Sequence, residues 1–342
     1  MESDLLSERE HQVLEAVIRN YILSALPTSS RYLSKQSGFD LSPASIRNVM
    51  YDLEERGFIT QPHTSAGRIP TDKGYRYYVD FVMTEFDLPD ETRNSIRNAL
   101  VTVDKSDLHM VLEAASRALS RTTNQMGVIL APKICNGIFR QLHVFQILPQ
   151  RYILNIALDS GFIKTMVVEF QTEIPPERLE CACRIISGKF TGRTILEMCN
   201  ADDRYFSDIS DLELGVIRLL VPSIRKMIET DARDEVFAEG QTNVLLQPEF
   251  FNRETVSAIV EIVEEKKMLM HLIETSSNEE GVVISIGGEN IGQLQSFSII
   301  KTTYKVGAMS GSLGVIGPKR MPYPFLVSAV EYTARILGEL HS

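Results

Sequence analysis

The residues best suited to specific recognition lie close together between positions 42 and 56. Ala44 lies three and four residues before Arg47 and Asn48, and Tyr51 lies four and three residues after them, so all four share one face if the segment is helical. A guanidinium can pair with the O6 and N7 atoms of guanine, and a carboxamide with the N6 and N7 atoms of adenine. The small side chain of Ala44 would permit close approach. The pattern predicts a helix that reads base edges in the major groove of double-stranded DNA.

The same segment carries an apolar stripe on its other side, as a helix anchored to a core requires. Its members recur at i, i+3, i+4 and i+7, and they are Ile46, Val49, Met50 and Leu53. Ser42 and Pro43 suit the N-cap and the first turn, and the helix is expected to run to Gly57. For a single amphipathic helix, an ordinary solvated face is the more common explanation of the polar side. The neighbouring elements decide between the two explanations.

Those neighbours have the order of a helix-turn-helix. A first helix begins after Ser7, and a short second helix begins at Thr28 and ends at Gly38. A tight turn then leads into the helix at 42–57. This order favours DNA binding over a solvated face.

The residues that follow predict a wing. Short strands are expected at 58–61 and 68–69 around a loop rich in turn formers, and Thr71 is expected to cap a fourth helix. Side chains of such a loop contact phosphates or the minor groove. The complete set of predicted DNA-contacting residues is Ser42, Ala44, Ser45, Arg47, Asn48, Tyr51, His63, Thr64, Ser65 and Arg68.

The overall charge of −10 does not by itself favour a nucleic-acid partner, because phosphate contacts need local positive charge. Between Thr28 and Tyr78, however, seven basic residues stand against five acidic ones, which gives this segment a charge of +2. A binding face can differ from the protein as a whole. The charge therefore permits DNA binding without demonstrating it.

The rest of the chain predicts a mixture of strands and helices. A largely helical block is expected at 206–280. Runs rich in β-branched and aromatic residues predict strands at 127–131, 139–148, 151–158, 163–170, 281–287, 295–306 and 314–317. Strands, then helices, then strands again indicate an α+β multidomain protein with a helical insertion.

A pair of subunits is expected, because one recognition helix reads only a few base pairs and two-fold symmetry joins two half-sites. The segment 212–228 is apolar on more than one face, and Pro222 is expected to kink or interrupt it. Its predicted dimer-interface residues are Leu214, Ile217, Leu220, Val221 and Ile224. Burial of these residues within one subunit is the open alternative.

Other patterns point to no cofactor, no metal site and no enzyme. Cys181 and Cys183 lack a second pair or a nearby histidine, and the six histidines are scattered without an HExxH-like pattern. Gly311, Gly314 and Gly317 do not have the spacing of a nucleotide-binding loop. The four cysteines fit reduced thiols, the N-terminus does not resemble a signal peptide, and no apolar run predicts a membrane span. A cytoplasmic protein is therefore expected.

Long runs of the sequence resemble one known family. The run from Thr28 to Met83, EGQTNVLLQPEF at 239–250, GGEN at 287–290 and YKVGAMSGSLGVIGPKRMPYP at 304–324 resemble the family of the heat-inducible transcription repressor HrcA. The resemblance covers essentially the whole chain.

The resemblance implies a particular organisation and function. It implies repression of chaperone operons by a homodimer on a short inverted-repeat operator, with the chaperonin GroEL assisting the active fold. A regulator that responds to a metabolite in its middle domain is the main alternative. The implied domains are a winged-helix domain at 1–84, a helical linker at 85–124, a GAF-like domain at 125–205 and 281–342, and an inserted dimerisation domain at 206–280.

Overall fold

The structure, a computed structural model, describes residues 5–35, 41–63, 66–104, 107–231, 235–250, 253–274, 281–290 and 292–340. We call the described part of 5–83 the head and that of 90–340 the body. The head begins with α1 (Glu8–Ser24), whose N-cap is reciprocal: the Ser7 side chain accepts from the Glu10 N–H, and the Glu10 side chain accepts from the Ser7 N–H. This cap satisfies two amides that have no partner within the helix.

Two short helices, a longer helix and a hairpin complete the head. The hairpin strands pair antiparallel, and the last helix continues as a π-helical turn to Val82. Most of these elements agree with the sequence-based prediction to within two residues, although the predicted helix end at Gly38 lies outside the described residues. The bounds are α2 (Ser30–Leu33), α3 (Pro43–Glu55), β1 (Ile59–Thr60), β2 (Ile69–Pro70) and α4 (Asp72–Tyr77).

The body opens with two helices that lead into an antiparallel sheet. Its described strands have the order β7-β3-β10-β9-β8, so β3, which comes first of these five along the chain, lies inside the sheet. The bounds are α5 (Asp90–Val101), α6 (Leu108–Thr123), β3 (Met126–Leu130), β7 (Val236–Glu239), β8 (Val283–Ile286), β9 (Phe297–Val306) and β10 (Met309–Pro318).

Helices cover both faces of this five-stranded sheet, as the alternation along β3 requires. Ile129 belongs to the apolar cluster that includes α6 and the last helix, whereas Val128 belongs to a second cluster with Ile259 and Leu269. Burial on both faces explains why β3 is an uninterrupted apolar run. The covering helices introduced here are α10 (Gln241–Leu245), α11 (Arg253–Glu264), α12 (Lys266–Ile273) and α13 (Tyr323–Glu339).

A smaller unit lies between β3 and β7. Its three-stranded antiparallel sheet has the order β4-β5-β6, and alternate residues of β5 are buried on the side of the helices. The runs rich in β-branched and aromatic residues predicted two of these strands, β4 and β5, to the residue. The bounds are β4 (Phe139–Leu148), β5 (Arg151–Leu158), β6 (Ile163–Glu169), α7 (Pro176–Phe190), α8 (Ile195–Asn200) and α9 (Asp211–Asp231).

This grouping corrects the predicted domain ranges. The range 125–205 was expected to belong to the GAF-like domain and 206–280 to the insertion. Among the described strands, however, β4–β6 pair only with one another, and α10–α12 lie near the five-stranded sheet. The segment outside the five-stranded unit is therefore 139–231. Strand β7 was not predicted, because Val236–Glu239 is short and lies within a helical block.

Pro222 lies inside α9 and does not interrupt it, so the predicted interruption is wrong, whereas the alternative of a kink stays a prediction. Its neighbours Leu220, Val221 and Ile224 are buried, and this packing offsets the backbone hydrogen bond that a proline removes. Among the described helices, α9 included, none is both long enough and apolar enough to cross a bilayer.

Candidate nucleic-acid interface

The local sequence fixes the start of α3. Ser42 Oγ accepts a hydrogen bond from the Ser45 N–H at 3.1 Å, and Pro43 occupies the first turn. The hydroxyl oxygens of Ser42 and Ser45 lie 2.9 Å apart. Both serines are exposed, and the N–H groups at this helix end favour an anion such as a phosphate.

The two sides of α3 have the orientations that the sequence predicts. Ile46 and Leu53 are fully buried, Met50 is nearly so, and Val49 is half-buried. The side chains on the opposite face are exposed, and they are Ala44, Arg47, Asn48 and Tyr51. The exposure is confirmed, and contact with DNA stays a prediction.

The charge of α3 changes along its length. Tyr51 hydrogen-bonds to Glu55, and the negative charge of that carboxylate raises the pKa of the phenol. Asp52 and Glu54 lie beside Tyr51 in the same half of the helix. The amino-terminal half, with Arg47, is therefore the part that suits phosphate-rich DNA.

Ion pairing inside the protein leaves three cations available between Thr28 and Tyr78 among the residues that the structure describes. Arg31, Lys35 and Arg47 are exposed, and none of them forms an ion pair with another residue that the structure describes. The other four basic residues between Thr28 and Tyr78 are held by groups of their own chain, and they are Arg56, Arg68, Lys73 and Arg76. Within this range the available positive charge thus lies on α2, just after it, and on α3.

Arg68 ties the hairpin to α3. Its Nε and Nη2 lie 2.9 and 2.8 Å from Glu54 Oε2, and its backbone exchanges two hydrogen bonds of 2.8 Å with Thr28. The Arg68 guanidinium is thus paired within the chain, and its predicted contact with DNA stays a prediction. The pair also neutralises one of the carboxylates of α3.

The rest of the hairpin approaches α1 and α2 closely. A Cβ at Gly67 would lie 2.4 Å from the carbonyl oxygen of Thr28, so only glycine fits there. Gln61 Nε2 donates to the carbonyl oxygen of Ala66 at 2.9 Å and closes the loop. His63 is exposed as predicted, whereas the predicted contacts Thr64 and Ser65 lie outside the described residues.

Comparison with known proteins identifies the family. The model of the HrcA protein C-terminal domain matches residues 109–327. The heat-inducible transcription repressor HrcA of Chlorobium phaeobacteroides (strain BS1) is 36% identical over 340 residues, with 96% of each chain covered. The repressor of the same name from Geobacter sulfurreducens is 36% identical over 345 residues, with 98% of each chain covered. The chain belongs to the HrcA family.

The match to HrcA relatives includes the head as well as the body. The family model begins in α6, but the curated HrcA repressors align with nearly the whole chain. The crystal structure of a hypothetical protein at 2.2 Å resolution has a TM-score of 0.63 to this chain. The two are 25% identical, and the alignment covers 98% of this chain and 99% of that one.

The five predicted dimer-interface residues are buried within their own subunit, which corrects that assignment. All lie on α9 and belong to its core with α7, α8 and the three-stranded sheet, and they are Leu214, Ile217, Leu220, Val221 and Ile224. At most 9% of any of these residues is exposed. The alternative that the sequence left open, burial in one subunit, accounts for their apolar character.

The sequence analysis missed a different apolar surface, the outer face of the sheet β4-β5-β6. Phe145 pairs with Ile153, which pairs with Val167, so these three form one row across the strands. Phe145 is 54% exposed and Val167 is 59% exposed. Ile147 and Ile163 are also about half exposed or more. The sequence did contain a sign of this surface, because apolar side chains occur on both faces of β6 and not only on its buried face.

The cysteines form no evident metal site. Among the described residues, no group of three or more His, Cys, Asp or Glu side chains is placed to hold a metal ion. Cys181 Sγ donates to Glu213 Oε1 at 3.0 Å, and burial raises the pKa of the Cys183 thiol to about 11. Both thiols are therefore poor nucleophiles near neutral pH.

A cavity of about 600 Å³ opens at one end of the five-stranded sheet. Lys133 and Glu274 line it and form an ion pair at 2.8 Å. Glu235, His271 and Ser310 also contribute to the lining. The cavity mixes charged and hydroxyl groups, and it lies in the body, apart from α3.

Proposed function

We propose that this protein is a transcription repressor that binds an inverted-repeat operator as a homodimer through α3. Its membership of the HrcA family supports the repressor function. The polar face of α3 supports the mode of binding. Repression follows if the bound dimer occupies DNA that the polymerase needs.

The observation that carries the proposal is the division of α3 into a buried and an exposed side. Arg47 and Asn48 are exposed side by side, and Arg47 has no ion pair with another described residue. These two side chains are suited to guanine and adenine. Arg31 on α2 and Lys35 just after it add positive charge, and phosphate contacts there would set the register of the protein on DNA.

We infer that the head is a winged helix-turn-helix. α2 and α3 supply the two helices, and β1 and β2 supply the wing. The tight attachment of the hairpin through Arg68 supports a wing that is rigid at its base. His63 is the exposed side chain near its tip that is available for phosphate contact.

Footprinting of the purified protein on the DNA upstream of its own gene and of chaperone operons tests this proposal. Two protected half-sites related by a dyad are expected, with protection that weakens as salt rises, because phosphate neutralisation releases counterions. The same DNA with one half-site inverted is the control. Absence of specific protection, or protection of a single unpaired site, would contradict the proposal.

We infer that two subunits meet through the outer face of the sheet β4-β5-β6. Contiguous exposed apolar side chains are uncommon on proteins that stay monomeric, and this face presents a row of them. A second copy is the fitting occupant, because a dyad-symmetric operator requires two heads and the same patch on each copy satisfies two-fold symmetry. We further propose that 139–231 is the inserted dimerisation domain.

We infer that the five-stranded unit around this insertion is the GAF-like domain, and that its cavity makes ligand-responsive repression a second candidate function. A volume of about 600 Å³ lies within the range of small-molecule sites, roughly 300–1,000 Å³. Thermal shift against a metabolite panel tests it, with Ser310→Leu as the variant that narrows the cavity. A stabilising compound whose effect persists in Ser310→Leu, or the lack of any such compound, would count against it.

We further propose that heat relieves repression and that the chaperonin GroEL assists the active fold. Both statements rest on the family resemblance. Operator affinity measured before and after a heat step, with and without GroEL, tests them. Faster recovery of operator binding with GroEL is expected. Equal recovery with and without GroEL would remove the chaperonin from the account.

A further inference from the structure

Three of the segments that carry the family resemblance meet beneath the head. They are 239–250, 287–290 and 304–324, and none of them belongs to α3 or the hairpin. Each supplies a residue that contacts the head or supports one that does. The surface proposed to contact DNA therefore does not account for them. Their meeting point is the junction between the head and the body.

Asp72, at the start of α4, makes the first attachment. Its carboxylate accepts hydrogen bonds from the N–H of Gly288 at 2.8 Å and from Lys319 Nζ at 2.5 Å. Gly287 has a φ of +55°, and a Cβ there would lie 2.1 Å from Asp72 Oδ2. Glycine is needed at this position both for its backbone conformation and for the close approach of Asp72.

Arg76, one turn further along α4, makes the second attachment. Its Nε and Nη2 lie 2.8 and 2.5 Å from the two carboxylate oxygens of Glu289, and Nη2 also donates to the carbonyl oxygen of Ile284 at 2.6 Å. A bidentate contact of this kind fixes the orientation of the guanidinium relative to the carboxylate as well as the distance between them. Asp80 of the head pairs with the same guanidinium at 3.1 Å.

Arg320 makes the third attachment, on a different helix of the head. Its Nη1 donates at 2.7 Å to the carbonyl oxygen of Ile22, in the last turn of α1, where carbonyls lack partners within the helix. Glu249 pairs with the same guanidinium, and only 15% of the Arg320 side chain is exposed. One attachment at α1 and two at α4 prevent rotation of the head about any single contact.

We propose that this junction positions the head: Asp72, Arg76 and Arg320 hold α3 at one orientation on the body and so set the half-site spacing that a dimer can bind. α1, α3 and α4 share the core of the head, so fixing α1 and α4 fixes α3. In a two-fold dimer the separation of the two α3 helices then follows from the junction. DNA presents matching major grooves about one helical turn apart, roughly 34 Å, or at multiples of it. The inference rests on the proposed function, and it makes Arg76 a positioning residue.

Operator variants with altered spacing test the inference on the full-length protein. The two half-sites are moved apart or together one base pair at a time, and the Kd is measured by fluorescence anisotropy for the natural chain, Arg76→Glu, Glu289→Arg and the double variant. Arg97→Glu is the matched control, because Arg97 forms an exposed ion pair at 3.1 Å with Glu339 outside the junction. Circular dichroism and melting report the fold of each variant, and the milder Glu289→Gln replaces any variant that fails to fold.

The natural chain and Arg97→Glu are expected to prefer one spacing by about tenfold or more over the adjacent ones. Each charge reversal at the junction is expected to flatten that profile, and the double variant to recover part of it. An unchanged spacing profile in folded Arg76→Glu and Glu289→Arg would overturn the inference while leaving the proposed function intact. A natural chain that binds no inverted repeat at any spacing would overturn both.

Discussion

Arg68 on the hairpin and Glu54 on α3 are joined by two hydrogen bonds of 2.8 and 2.9 Å to a single carboxylate oxygen. This ion pair therefore holds the hairpin and the proposed recognition helix together. The Arg68 side chain is 20% exposed and the Glu54 side chain is 28% exposed. A partly exposed pair of this kind contributes modestly to stability. Its larger effect is to neutralise a carboxylate close to the proposed DNA surface.

Arg68→Ala is expected to lower the stability of the head by about 1 kcal/mol and to weaken binding to operator and random DNA by similar factors. The reason is that the variant leaves Glu54 uncompensated near the phosphates but removes no base contact. Urea denaturation and anisotropy titrations on both DNAs measure this. Arg31→Ala, which breaks no ion pair with a described residue, is the control and should weaken binding without changing stability. Loss confined to the operator would show instead that Arg68 reads bases.

Gly74→Ala is expected to destabilise the head by about 1–3 kcal/mol or more, because its Cβ would meet the carbonyl oxygen of Phe58 at 2.1 Å. Gly188→Ala is the control, since a Cβ on this glycine of α7 would meet no heavy atom within 4 Å. That variant should raise stability by roughly 0.5–1 kcal/mol, as alanine replaces glycine inside a helix. Urea midpoints followed by circular dichroism measure both. Equal midpoints for the two variants would contradict the close approach of α4 to Phe58.

Tyr75→Phe is expected to leave stability unchanged or to raise it by about 1 kcal/mol, because the buried Tyr75 hydroxyl has no hydrogen-bond partner among the described residues. Burial also holds the pKa of this phenol well above its usual range. Tyr323→Phe is the matched comparison, since its hydroxyl donates to the Lys319 carbonyl and bonds to Ser298, both at 2.8 Å. Removing it should cost about 1 kcal/mol or more. A Tyr75→Phe variant that loses as much stability as Tyr323→Phe would contradict this difference.

Val167→Glu is expected to convert the proposed dimer into monomers, because it places a charge at one end of the apolar row on β4-β5-β6, where the side chain is 59% exposed. Sedimentation velocity measures the change. Leu219→Glu on α9 is the control, since Leu219 is also exposed, at 40%, but lies on a helix outside that row. Persistence of the dimer in Val167→Glu, or its loss in the control, would locate the interface elsewhere.

Elements with strong local periodicity could be predicted from the sequence. β4 and β5 were predicted to the residue, because their content of β-branched and aromatic residues and the turn between them are local properties. The capping serine and proline of α3 predicted its start in the same way. The exposure of Arg47, Asn48 and Tyr51 followed from the apolar stripe on the other side of the helix.

Features that depend on contacts between distant segments could not be predicted. The partner of Arg68 is Glu54, fourteen residues earlier, and the pairing requires the hairpin to fold back on α3. The partners of Asp72 and Arg76 in the body lie more than two hundred residues away. Burial of Leu220 and Ile224 in their own subunit depended on α7 and α8, so helical periodicity alone could not separate a core from an interface.

The affinity of Arg47→Ala for operator and for random DNA tests the central claim most directly. If α3 reads base edges, the variant loses about 1–3 kcal/mol on the operator and much less on random DNA, so the ratio of the two affinities falls by about tenfold or more. Arg31→Ala, the matched exposed arginine on α2, should weaken binding to both DNAs alike. Equal losses on both DNAs for Arg47→Ala, or no loss on either, would contradict the claim that α3 is the helix that recognises the operator.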